Sequence, residues 1–370
     1  MRHVYIIYSQ FFDRDGKSIQ VGGVETYIYN LCKHFYSANI CAIIYQFANS
    51  NFITYYEGFK VVGVKAISKN YRKNSRVVAN AIKKVFDYKN DILIFASEEY
   101  VVPFKSENII AIQHGVSWDI PNNSNIYLNH IKNSMRAIIE YRNLKHCNKI
   151  VCVDYNFLNW YRATYKKCNY RKFYVIPNFC EISAIKRDYK LRNETKIIFA
   201  RRFVNHRGAL LFASVARKII RKYPNVKICF AGTGVCEAKM KATLEGCSNV
   251  EFTTFLSDDS IKFHSNFDIA VVPTLGSEGT SLSLLEAMGA GCAVVCTNVG
   301  GMTNIILNRY NGIMISPSEE DLYVALKELI ENYELRKFLS QKAVETVQHS
   351  FNKERWGNEW LNIVAKINKG

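Results

Sequence analysis

The chain has 370 residues, 48% of them hydrophobic, enough for two cores, since single cores rarely grow past about 250–300 residues. Its formal net charge is +17, with 24 basic against 12 acidic residues in 1–180 and 25 against 20 in 181–370. No apolar run nears the ~18 residues of a membrane span, the opening MRHVYIIYSQFF is too short for a secretory h-region, and eleven scattered cysteines form no secreted-type framework.

A cytosolic chain is therefore expected. The basic excess in its first half either serves solubility or meets an anionic partner: phospholipid, polyanionic glycan or nucleic acid.

Short β-branched runs alternate with helical patterns along the chain. HVYIIYS (3–9) reads as a buried strand, GGVETYIYNLCKHFYSAN as a helix that begins on glycine, and ICAIIYQF (40–47) as the next strand. DILIFAS (91–97), NIIAIQHG (108–115) and KIVCVD (149–154) continue the set. The pattern pauses at FYVIPNFCEI (173–182). It resumes with TKIIFARRF (195–203), a helix over 208–223, and strands VKICFAGTG (226–234), NVEFTTFL (249–256), DIAVVP (268–273), CAVVCTN (292–298) and GIMIS (312–316). One amphipathic region over 318–350 follows. This alternation predicts an α/β chain of two doubly wound parallel-sheet domains joined near 177–185. Such sheets bind ligands at the carboxyl ends of their strands, so the site is expected in a cleft between the domains.

The segment SEGTSLSLLEAM (277–288) holds two glutamates among small and apolar residues. Glu278 falls in the loop after a strand. Thr280 or Ser281 is placed to cap a helix, and Ser283 shares a face with Glu286 three residues on. A helix N-terminus between two carboxylates offers free N–H groups to phosphate and acceptors to hydroxyls, a combination that suits a nucleotide sugar. From spacing alone, an ordinary helix-surface glutamate and a solvated loop acid are the better explanation of the pair. Asp258 and Asp259 read as N-cap residues of a helix, with no Asp-x-Asp metal motif at a strand end. Cys292 and Cys296 stand about 13 Å apart on a strand, too far for one ion.

Taken together, Glu278-Gly279, Glu286-Ala287-Met288, Gly291 and Val294-Val295 resemble the Glu-x7-Glu motif of retaining GT-B glycosyltransferases, glycosyltransferase family 4. VGGVETYIYNL (21–31) is similar to that family's glycine-rich first loop, QHGVSWD (113–119) to its histidine segment, VIPNFCE (175–181) to its hinge, ARRFVNHRG (200–208) to its GR-x4-KG segment and AGTGV (231–235) to its Gly-x-Gly turn. GGMTNII (300–306) and NRYNGIMI (308–315) match late-domain landmarks. Thr280-Ser281 departs from the family's bulky residue and proline, and Arg207 stands where lysine is usual; the fork of an arginine keeps phosphate binding.

The resemblance implies the GT-B fold, two Rossmann-like doubly wound domains facing across a cleft: 1–178 on the acceptor side, 179–350 for the nucleotide sugar, and 351–370 a helix returning to the first. It implies a catalytic set of His114, Arg202, Arg207 and Glu278, with His114 under the donor sugar and the arginines on the departing diphosphate. Gly22, Gly23, Thr233, Gly279, Thr280, Ser281, Leu282, Ser283 and Glu286 would bind substrate, Glu278 taking sugar hydroxyls and Glu286 the ribose. Asn178 is either hinge structure or a contact. The implied reaction is retaining transfer from a nucleotide-diphosphate sugar to a glycan or lipid-linked acceptor in bacterial surface-polysaccharide synthesis, with no metal and no cofactor beyond the donor. A nucleotide-sugar epimerase or phosphorylase of the same fold is the alternative, and a non-enzymatic polyanion binder the remote one, since no nucleic-acid-binding motif is present.

Residues 65–89 carry eight basic residues against one acid, Asp87. Val77, Val78, Ala81, Ile82, Val85 and Phe86 give this segment an apolar face. A basic amphipathic helix here would lie on an anionic membrane, or would simply cover the core. Arg162, Lys166, Lys167, Arg171 and Lys172 would extend the patch. Trp356 and Trp360 at i, i+4 mark the final helix, expected to couple the domains.

Overall fold

The computed structural model describes residues 2–20, 22–116, 118–119, 126–165, 169–182, 193–256 and 259–367, with the backbone alone for 126–130. Two compact units divide the chain: residues 1–114, 123–176 and 357–370 form the first, 115–122 and 177–356 the second.

The first unit runs β1 (His3–Tyr8), α1 (Gly23–Ser37), β2 (Cys41–Ala48), β3 (Phe52–Tyr56), β4 (Phe59–Lys65), α2 (Tyr71–Lys83), β5 (Ile92–Phe95), β6 (Ile109–Gln113), α3 (Ile126–Leu144), β7 (Lys149–Cys152), α4 (Tyr155–Thr164) and β8 (Phe173–Val175). Its sheet has the order β3-β4-β2-β1-β5-β6-β7-β8. Every neighbouring pair is parallel except β3 with β4.

The sequence pattern does not predict that antiparallel hairpin: alternation within FITYY is weak, and its tight Glu57-Gly58 turn puts both residues at positive φ, 45° and 89°. The basic segment 65–89 is also not one helix. Lys65 ends β4, α2 covers Tyr71–Lys83, and Asn70 caps it by accepting from Arg72 N and Lys73 N. Val78, Ile82 and Phe86 are buried, so most of this apolar face covers the sheet; Val77 and Val85 remain exposed.

The second unit runs β9 (Thr195–Ala200), α5 (Ala209–Lys222), β10 (Val226–Ala231), α6 (Glu237–Thr243), β11 (Val250–Thr253), α7 (Ser260–His264), β12 (Ile269–Val272), α8 (Leu282–Gly289), β13 (Ala293–Thr297), β14 (Ile313–Ile315), α9 (Glu319–Glu331) and α10 (Tyr333–Ser350). Its wholly parallel sheet has the order β11-β10-β9-β12-β13-β14. Successive side chains of a strand point to opposite faces, and the core follows that rule. Ile197, Phe199, Ile269 and Val271 join one apolar cluster, with Phe212 and Leu326. Ile198, Ala200, Ala270 and Val272 join another, with Leu285 and Met288. Burial on both faces explains why these strands read as unbroken apolar runs. The single amphipathic region expected over 318–350 is two helices, because Ser318 and Asn332 each cap a new start.

Helix α11 (Lys353–Lys366) closes the chain. Trp356 packs on Phe179 within the second unit, and Trp360 Nε1 donates to Tyr27 Oη at 2.8 Å within the first. No described helix is long and apolar enough to cross a membrane.

Candidate active site

The second sheet grows outward in both directions from β9, so the chain reverses direction between β9 and β12. The carboxyl ends of strands beside such a reversal are the usual ligand position in sheets of this kind. Arg201 and Arg207 follow β9 there, and Thr274 and Glu278 follow β12.

Glu278 is nearly buried, at 9% exposure. Its Oε2 accepts from Arg201 Nη2, from Arg207 Nη1 and, at 3.0 Å, from Thr274 Oγ1. Arg201 Nη1 also donates to Thr274 Oγ1. Burial acts to raise the Glu278 pKa, but Arg201 and Arg207 outweigh it and hold the carboxyl below its ordinary value. The carboxylate is thus ionised at neutral pH. Oε2 takes all three bonds, and among the described residues none donates to Oε1. Arg207 keeps Nε and Nη2 without partners among the described residues, beside its Nη1 bonds to Glu278 and to Ser277 O at 3.3 Å.

Glycines let these loops meet. Gly208 has φ +77°, and a Cβ there would stand 1.9 Å from Pro273 O. Gly300 has φ +56°, and its Cβ would stand 2.1 Å from Glu278 O. Neither position admits a side chain. Gly234 in turn lies against the Phe203 carbonyl, where a Cβ would stand 2.5 Å away. Gly301 N donates to Glu278 O at 2.9 Å, fixing the loop that carries the carboxylate. Gly115, at φ +126°, packs on the Gly279 backbone.

Helix α8 starts beside Glu278. Ser281 is its N-cap, its Oγ accepting from Leu284 N at 3.4 Å. The amides of Leu282 and Ser283 bond to no described residue and point out of the positive end of the helix. Leu284, Leu285, Ala287 and Met288 are buried, which leaves Ser283 and Glu286 together on the half-buried face. Asn178 Nδ2 donates to Thr280 O at 2.7 Å, so this residue fastens the segment after Pro177 to the site loop. Glu286 Oε2 accepts from Ser260 Oγ at 2.7 Å. Burial pushes the Glu286 carboxyl up to about 7, against the opposing pull of the Ser260 hydrogen bond.

The remaining expected residues fall elsewhere. Arg202 is exposed and makes no contact with Glu278; its neighbour Arg201, not singled out in the sequence, fills that place. Thr233 is exposed, and its carbonyl accepts from Phe203 N at 2.8 Å. Asp258 lies outside the described residues, and Asp259 precedes α7 without a side-chain cap bond.

In the first unit, Gly22 caps α1 in an extended conformation and Gly23 is the helix's first residue. Glu25 folds back to Gly22, where a Cβ would stand 2.4 Å from its Oε2. Glu25 Oε1 also accepts from Tyr8 Oη at 2.5 Å. The α1 N-terminus therefore already faces a carboxylate of its own. His114 follows β6, and its Nε2 donates to Ala96 O at 2.8 Å, leaving Nδ1 as the acceptor nitrogen. Burial lowers its pKa to about 4, so the ring is neutral at pH 7. Among the described residues no His, Cys, Asp and Glu side chains gather in threes as a metal site would need.

Residues 194–332 match the family model described as Glycosyl transferases group 1. An uncharacterized glycosyltransferase of Methanocaldococcus jannaschii is 26% identical over 180 residues, 46% of this chain and 45% of that protein. The phosphatidyl-myo-inositol mannosyltransferase of Mycolicibacterium smegmatis is 23% identical over 200 residues, covering 52% and 50%. The chain thus spans about half, or less, of the curated relatives it matches. Among solved structures, the sucrose-phosphate synthase of Thermosynechococcus elongatus superposes with a TM-score of 0.80 at 14% identity, over 99% of each chain. WaaG, a glycosyltransferase involved in lipopolysaccharide biosynthesis, superposes at 0.74 and 15%, over 98% of this chain and 99% of its own. At such identities the likeness establishes the fold, which is GT-B.

Proposed function

We infer, from a chain whose residues 194–332 match the glycosyl transferases group 1, that this protein is a glycosyltransferase using a nucleoside-diphosphate sugar as donor. The observation that carries the reading is the ionised Glu278 held at the carboxyl ends of β9 and β12, beside two free helix amides and the unused N–H groups of Arg207.

In this reading the Leu282 and Ser283 amides, the Ser283 hydroxyl, Arg207 and the exposed Arg202 hold the diphosphate. Negative charge grows on that group as the glycosidic bond breaks, so fixed cations stabilise the transition state more than the ground state. Glu278 Oε1 accepts from sugar hydroxyls. Glu286 accepts from the ribose hydroxyls, displacing Ser260. His114, neutral and with Nδ1 free to accept, takes a donor-sugar hydroxyl and does not act as a cation. Attack on the face from which the diphosphate leaves gives retention, the departing oxygen taking the acceptor proton.

The acceptor is a glycan or a lipid-linked acceptor of bacterial surface-polysaccharide synthesis, handled at the cytoplasmic face of a membrane. Support comes from the basic first half and from the likeness to WaaG and to a phosphatidylinositol mannosyltransferase. The cations and helix dipole supply the charge a metal would otherwise provide, so chelation with EDTA is expected to leave the rate unchanged. A rate that falls on chelation and returns with Mg2+ or Mn2+ contradicts this part.

A thermal-shift panel of UDP-, GDP-, ADP- and dTDP-sugars tests the donor class, because a ligand that binds only the folded state raises its melting temperature. One base should stand out, and Glu286→Ala should erase its shift. Turnover of the same nucleotide sugar without any acceptor would point instead to an epimerase.

A further inference from the structure

Helix α3 is built inside out. Its one acid, Glu140, is 3% exposed, whereas Ile131, Met135, Ile138 and Ile139 are 58%, 59%, 51% and 45% exposed. The unit packs against the other side of the helix, where Ala137, Asn143 and Leu144 are buried with Glu140. Spacings of i, i+4, i+7 and i+8 align the four large side chains in one stripe. Four aliphatic side chains gathered on one exposed face differ from the single apolar residues scattered over any surface.

The flanks of the stripe are basic. Lys132, Arg136, Arg142 and Lys145 are all exposed; Arg136 pairs with Glu99 at 3.0 Å and with Glu140 at 3.6 Å, and no ion pair of the other three is seen among the described residues. In the last turn of the helix, Tyr141 stacks on Tyr165 at 3.8 Å, and Tyr155 and Arg162 of the neighbouring α4 are exposed. Aliphatic residues at the centre, cations at the edge and tyrosines alongside match the layers of a membrane interface.

We propose that α3 docks on an anionic lipid surface, its apolar stripe at the acyl boundary and its lysines and arginines on the phosphates. Charge selects this occupant. A second copy meeting the stripe across a two-fold axis would bring the same four cations face to face, whereas an anionic bilayer complements them. The basic helix α2 fits the role less well, since Val78 and Ile82 are spent on its own core. This surface is independent of the donor chemistry, so it stands or falls separately from the proposed activity.

Co-sedimentation of the full chain with phosphatidylcholine vesicles, with and without phosphatidylglycerol, tests it. The wild type should bind the anionic vesicles and release as salt rises. The triple variant Ile131→Ser, Met135→Ser, Ile138→Ser should bind at least about tenfold more weakly. Val77→Ser with Val85→Ser should bind as the wild type does. An unchanged circular-dichroism melt of the triple variant, expected for exposed positions, shows that the loss is not unfolding. The proposal is overturned if the wild type ignores anionic vesicles, or if the triple variant binds them undiminished. Light scattering that finds a dimer dissolved by the same triple variant also overturns it, in favour of self-association.

Discussion

Glu278 and its two arginines decide the chemistry at the scale of single residues. A buried carboxylate is tolerable only because Arg201, Arg207 and Thr274 converge on one of its oxygens. Arg201→Met removes one of those partners and should cost about 1–3 kcal/mol in urea unfolding. Transfer should fall about a hundredfold, with Arg201→Lys recovering part of it because the charge remains. Full activity in Arg201→Met would detach Glu278 from catalysis. Glu286 gives a pH prediction. Its folded pKa of about 7 lies above the ordinary 4.5, so the folded state holds that proton more tightly. Its contribution to stability is therefore greatest below about 4.5 and declines as pH rises through about 7. Donor affinity should move the opposite way, because ribose hydroxyls donate best to the ionised form. Calorimetric titrations from pH 6 to 8 should show that rise in wild type and none in Glu286→Gln. Much at this scale was legible: Arg207 and Glu278 lie on the loops after β9 and β12, and Ser283 and Glu286 on the helix that follows β12. Arg201 was not, because strand alternation stops at Ala200 and the sequence does not say which of two adjacent arginines turns inward.

Elements deliver these side chains through loops that glycine alone can build. Gly208→Ala places a methyl group against the Pro273 carbonyl at a positive φ. It should destabilise by more than about 1 kcal/mol and lower the melting temperature, even though Gly208 contacts no substrate in this account. A melt unchanged from wild type would show that the loop has room the geometry denies. Most strands and the helices over 208–223 and 281–288 could be read from apolar periodicity, since burial on both faces of a sheet leaves a plain signature. The hairpin of β3 and β4 could not, because an edge ribbon with exposed Ile53 and Tyr55 carries no such pattern. The apolar residues of 65–89 were visible, but whether they face a core or a membrane depends on what packs beneath them. Helix α3 poses the opposite problem: its apolar residues read as core, and only the fold leaves them exposed.

Across the whole molecule, two units share one plan, a mainly parallel sheet that grows in both directions from its first strand. That plan explains why the second unit gathers its charged loops at a single reversal point. A nucleotide diphosphate is expected at that point. A structure of the protein with its cognate nucleoside diphosphate tests this most directly. Phosphate oxygens are expected within about 3 Å of Arg207 and of the Leu282 and Ser283 amides, with the ribose on Glu286. A diphosphate bound away from these groups, at the start of α1 for example, would contradict it.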